Sequence, residues 1–128
     1  MKQIIVDTNV FLRFLLNDIP KQKIEFEKLI KRAKENKIEL LVPQIIIFEI
    51  NFILEKYYGY GKKEIIDRLK SLVSASYFQV ESRETFLAAL SIYGSTSTSF
   101  VDCFLISQAK DKNAEIFTFD KVLKKLSG

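Results

Sequence analysis

The sequence predicts an α/β protein, one domain of three layers in which helices cover both faces of a parallel sheet of about four strands. Two observations carry this expectation. Short runs rich in β-branched and aromatic residues, at Ile4–Val6, Leu40–Val42, Tyr77–Val80 and Ile116–Phe119, alternate with longer stretches of helical period. Strands separated by helices pair in parallel, because the crossover returns each strand to the same end of the sheet. The length, 128 residues without an internal repeat or linker, suits a single core spanning residues 1–128.

Ile4-Ile5-Val6 reads as a strand buried on both faces, and it stops abruptly at Asp7-Thr8-Asn9. Val10, Phe11, Phe14 and Leu15 then recur at helical spacing. Asp18-Ile19-Pro20 starts a second helix, with Asp18 as its cap and Ile24, Leu29, Ile30 and Ala33 facing inward. Leu40-Leu41-Val42 is a second strand ended by Pro43, and a strongly apolar helix follows from Ile45 to Tyr58. Lys62–Ser74 is amphipathic, Tyr77–Val80 a third strand, and Arg83–Tyr93 a helix capped by Ser82. The Gly94–Ser99 segment has no side chain large enough for a core and reads as a loop. Phe100–Lys110 is helical, Ile116–Phe119 a fourth strand, and Lys121–Leu126 a last short helix.

Composition narrows the chemistry. There is no histidine, so Ser-His and Cys-His nucleophile pairs and the usual zinc ligands are excluded. The one cysteine, Cys103, lies in an apolar run and reads as a core thiol. Asp7, Asn9 and Arg13 interrupt the apolar N-terminus, so neither a leader nor a membrane span is expected and the protein is placed in the cytoplasm.

Four carboxylates stand out by position. Asp7 and Asp120 each end a strand, where open α/β sheets form their sites. Glu49 has Ile45 and Ile46 one turn before it and Phe52 and Ile53 one turn after. Asp102 sits in the first turn of its helix, with Leu105 and Ile106 one turn on. A charge on an apolar face is costly unless it is paired or holds a metal. Each also has a plain structural reading: Asp7 and Asp120 suit helix N-caps, Ser99 and Asp102 fit a capping box, and Glu49 suits an ion pair. Convergence of all four at one sheet edge, without histidine, describes an oxygen-ligand site for Mg²⁺ or Mn²⁺.

These motifs carry a resemblance. Asp7-Thr8-Asn9 after a first strand, Pro43 six residues before Glu49, Ser99-Phe100-Val101-Asp102 opening a helix and Thr118-Phe119-Asp120 closing a strand together resemble the PIN-domain ribonucleases. The compact size is similar to the VapC-like toxins of prokaryotic toxin–antitoxin pairs. The resemblance implies a three-layer α/β/α PIN-like fold with strand order 3-2-1-4. It also implies a metal-dependent endoribonuclease that hydrolyses RNA with water as nucleophile. Asp7, Glu49, Asp102 and Asp120 would be its catalytic and metal-binding quartet and Mg²⁺ or Mn²⁺ its cofactor. Thr8, Ser99 and Thr118 would supply supporting hydroxyls, and Asn9 would orient the first carboxylate. The implied partners are RNA, an antitoxin protein and a second copy, the last two through the Ile45–Tyr58 region. A fifth strand common in the family has no counterpart before Gly128, which leaves Ile116–Phe119 at the sheet edge.

Charge agrees with a polyanionic substrate. Setting the quartet aside leaves 12 acidic residues against 20 basic ones, a surplus of eight positive charges. Lysines gather on the Pro20–Asn36 helix and again at Lys121, Lys124 and Lys125. A stand-alone RNA-processing nuclease fits the same features as a toxin. A haloacid-dehalogenase-like phosphotransferase needs an aspartate where Asn9 stands. A receiver-like signalling module needs one after the third strand, where the chain reads Glu81-Ser82.

Overall fold

The structure is a computed structural model describing residues 1–128. Three strands, β1 (Lys2–Ile5), β2 (Ile38–Val42) and β3 (Phe78–Val80), form one parallel sheet in the order β1-β2-β3. Seven helices accompany them: α1 (Thr8–Leu16), α2 (Pro20–Lys34), α3 (Gln44–Lys56), α4 (Lys62–Ser74), α5 (Arg83–Ser95), α6 (Phe100–Lys112) and α7 (Lys121–Ser127). The expected α/β alternation and parallel pairing stand, and so does the order 3-2-1.

The fourth strand does not form. Residues 114–118 have no regular secondary structure and no ladder partner, a bend follows at Phe119, and Phe117 and Phe119 are 89% and 92% exposed. β1 is therefore a border strand, and Ile5 is 67% exposed rather than buried as the sequence suggested. Parallel register explains the difference. Ile4, Leu40 and Phe78 share one face of the sheet with Val42 and Val80, and the helices cover that face. Ile5, Leu41 and Gln79 share the other, which stays open.

Several local expectations change for traceable reasons. Ile19, not Asp18, is the cap residue of α2, because the Asp18 carboxylate is taken by the Arg13 guanidinium at 2.7 Å. Ile24 lies on the solvent side of α2, and Phe26 takes the inward position instead. Ser82 adopts a left-handed conformation and gives its hydroxyl to Gln44 Oε1, so α5 begins without a side-chain cap. Ser99 does cap α6, accepting from the Asp102 N–H at 3.2 Å. Thr98, inside the small-residue loop, is buried.

Packing is dominated by phenylalanine. Phe11, Phe26 and Phe78 join α1, α2 and β3, with ring centroids 5.3–6.0 Å apart. Phe48, Phe86, Phe100 and Phe104 join α3, α5 and α6 in a second cluster. Apart from half-buried Phe48, which packs against it, both belong to one continuous core of 25 buried residues. Arg83 ties α5 to the sheet, its guanidinium donating to the carbonyls of Val73, Ala75 and Phe78. Leu123 and Ile106 are buried outside that core, and α7 packs against α6.

Two predictions follow from this packing. Phe86, fully buried among three other rings, should cost about 3–5 kcal/mol of unfolding free energy when cut to alanine, read by chemical denaturation. The second concerns alkaline stability. Burial pushes the Tyr93 phenol above its ordinary 10.0 and the Cys103 thiol above its ordinary 9.0. A raised pKa in the native state favours folding while the group is protonated, and that contribution is lost as pH rises through the native value. Melting temperature should therefore fall above pH 9–10, and Tyr93→Phe should flatten part of that fall without changing the curve at neutral pH.

Candidate active site

Asp7 follows β1 directly and caps α1, one carboxylate oxygen accepting from the Asn9 N–H at 3.3 Å. Its side chain is exposed and keeps acceptor capacity for a ligand. Thr8, the first residue of α1, is buried beneath it, while Asn9 is exposed.

Glu49 is exposed, not desolvated as its apolar neighbours suggested. Those neighbours divide: Ile46 and Ile53 pack against the core, but Ile45 is 68% and Phe52 53% exposed, and Glu49 stands with the exposed pair. Asp102 is half-buried in the first turn of α6, near the positive end of the helix dipole. Asp120 is exposed and caps α7, accepting from the Leu123 N–H at 2.8 Å. Thr118 Oγ1 accepts from the Asp120 N–H at 3.0 Å, so the two residues form one rigid turn.

The plain structural readings thus hold for Asp7 and Asp120, and the Ser99 half of the capping box is present. Convergence within one chain is not seen. No three acidic or other metal-ligating side chains are grouped closely enough to hold an ion. For Asp120 the reason is visible: the strand meant to carry it to the sheet border is not paired there. In kind, four carboxylates suit a hard divalent cation. In grouping, the single chain does not complete a shell for one.

Sequence reasoning passed over two features. Glu81 ends β3 as Asp7 ends β1, and its carboxylate accepts from the Gln44 N–H at 2.7 Å, capping the helix that carries Glu49. Its place after a strand was the available signal; it had served only to exclude a receiver. The second feature is a groove of about 720 Å³ between α1 and α2, whose charged lining is Arg13, Lys28 and Arg32 against one acid, Glu25, with Asn9 and Gln22 beside them. Asp18 beside Arg13 raises the guanidinium pKa further, so this charge is permanent. The groove opens two residues from Asp7 and is basic where the strand end is acidic.

Comparison with known proteins agrees with this architecture. Over 124 residues the chain is 27% identical to a VapC ribonuclease of Aquifex aeolicus strain VF5, covering 95% of this chain and 90% of the relative. No solved structure matches the chain. No helix is long and apolar enough to cross a membrane. The family model for the PIN domain matches residues 4–128, from the first strand through the last helix, and the chain belongs to the PIN domain family.

Proposed function

We propose that this protein is a Mg²⁺- or Mn²⁺-dependent endoribonuclease acting as the toxin of a toxin–antitoxin pair. The observation that carries the reading is the PIN match across residues 4–128, with carboxylates at Asp7, Glu49, Asp102 and Asp120 in an otherwise basic protein. The likeness to a VapC ribonuclease favours a toxin over a stand-alone processing enzyme. Asp7 and Glu49 supply oxygen ligands at the carboxyl end of the sheet, and Asp102 and Asp120 are the remaining members of the set. The groove of Arg13, Lys28 and Arg32 beside Asn9 offers phosphate contacts for a single RNA strand next to those carboxylates. The exposed stripe of Ile45, Phe52 and Tyr57 on α3 and the turn after it is the surface for an antitoxin helix.

Cleavage of a labelled RNA with Mn²⁺ should stop in EDTA and return when the ion is restored. Asparagine caps a helix as well as aspartate does, so Asp7→Asn should melt like wild type yet cleave about a hundredfold slower or worse. Undiminished cleavage in EDTA would overturn the metal dependence. In a bacterial host, induced wild type should arrest growth and Asp7→Asn should not. Equal growth of the two would remove the toxin reading.

A further inference from the structure

Phe117 and Phe119 are the two most exposed large apolar side chains of the protein, and nothing in the site described above uses them. Their rings meet edge to face, with centroids 5.4 Å apart and planes at 78°, so each keeps a flat face open to solvent. A single exposed apolar side chain calls for no account, but two adjoining rings at this exposure mark a surface that meets something.

The turn that carries them leads into the candidate active site. Thr118, between the two rings, accepts from the Asp120 N–H at 3.0 Å, and Asp120 in turn caps α7. Phe119 therefore stands one residue from a proposed catalytic carboxylate, on backbone held by two hydrogen bonds. Beside Phe117 lies a recess of about 280 Å³, walled by Phe117, Leu105 and Ile116, with Gln108, Lys112 and Glu115 as its polar lining. Aromatic and aliphatic walls with an amide among them suit a heterocyclic base.

Charge narrows the occupant. Residues 110–128 hold five lysines against three acids, Asp120 among the acids, and none of the five lysines is ion-paired. Aromatic faces within a fringe of free lysines are what a single strand of nucleic acid engages, its bases stacking while its phosphates meet the cations. A partner helix is read by apolar side chains seated in a groove, whereas these two rings stand out from a turn. Bases in a duplex have both faces covered by their neighbours, so they leave the rings nothing to stack on.

We propose that Phe117 and Phe119 form a base-stacking platform that takes unpaired bases of a single RNA strand and sets the strand beside Asp120, making the protein selective for unpaired RNA. A phenyl ring carries no hydrogen-bonding group, so the platform reads pairing and not sequence. That the stacked strand is a substrate rests on the nuclease reading above; the stacking itself does not.

The chain has no tryptophan, so Phe119→Trp places one reporter on the platform without removing any core. In EDTA its fluorescence should be quenched by a single-stranded oligoribonucleotide. The same RNA as a duplex should leave it unquenched, and so should inorganic polyphosphate, which carries charge without bases. Phe117→Leu/Phe119→Leu, with helical circular dichroism unchanged, should bind the single strand about tenfold more weakly by fluorescence anisotropy, with the same dependence on salt. Lys121→Gln/Lys124→Gln/Lys125→Gln should instead lower the slope of log affinity against log salt by about two. With Mn²⁺, the leucine variant should cleave single-stranded RNA with a raised KM and the wild-type kcat. Equal quenching by polyphosphate or duplex overturns the platform. So does a leucine variant that binds the single strand like wild type; if that variant also changes its oligomeric state in sedimentation, the rings belong to a protein contact. A wild type that binds and quenches as expected but cleaves no RNA keeps the platform and removes the nuclease reading.

Discussion

One side chain joins the two halves of this molecule. Phe48 of α3 meets Phe86 of α5 and Phe100 and Phe104 of α6, at centroid distances of 5.3, 5.7 and 5.0 Å. Each such pair contributes about 0.5–1.5 kcal/mol beyond area burial, so the cluster sets how α5 and α6 stand against α3. Two proposed site residues depend on it. Glu49 is the next residue after Phe48, and Asp102 lies between Phe100 and Phe104 in sequence. The helix that carries Asp102 is oriented by packing in the core, not by contacts among the carboxylates.

The charges behave differently. Three ion pairs are formed in all, between Arg13 and Asp18, Lys37 and Glu35, and Lys56 and Glu55, so most of the 20 basic side chains stand free. Exposed pairs of this kind add little stability. Their absence elsewhere matters more, since unpaired lysines on α2 and α7 leave a positive field around the acidic strand ends. Lys34 over the Tyr77 ring, Lys62 over Tyr93 and Arg68 over Tyr60 are exceptions, using aromatic faces as partners.

What the sequence disclosed was local, and what it concealed was relational. The helix over Lys62–Ser74 was legible from its apolar period and the one after Ser99 from its cap, because each signal lies within one stretch. Asp7 was legible after its strand for the same reason, whereas the strand read before Asp120 does not form. The exposure of Glu49 was not legible. Its flanking Ile45 and Phe52 look like a core face until the structure shows nothing packed on them, and composition cannot tell a core stripe from an open one. Ile5 misled in the same way, because a β-branched residue reads identically whether its sheet face is covered or bare. Whether Ile116–Phe119 pairs depends on how the turn after α6 directs the chain, where the Ala114 N–H is bound to the Ala109 carbonyl, and no local pattern encodes that.

An open strand edge is ordinarily an aggregation hazard, and this one carries its own restraint. β1 has four residues and opens with Lys2 and Gln3, so it offers a short border with a charge at one end. A generic apolar strand laid there would bury Lys2 against an uncharged neighbour and gain few hydrogen bonds.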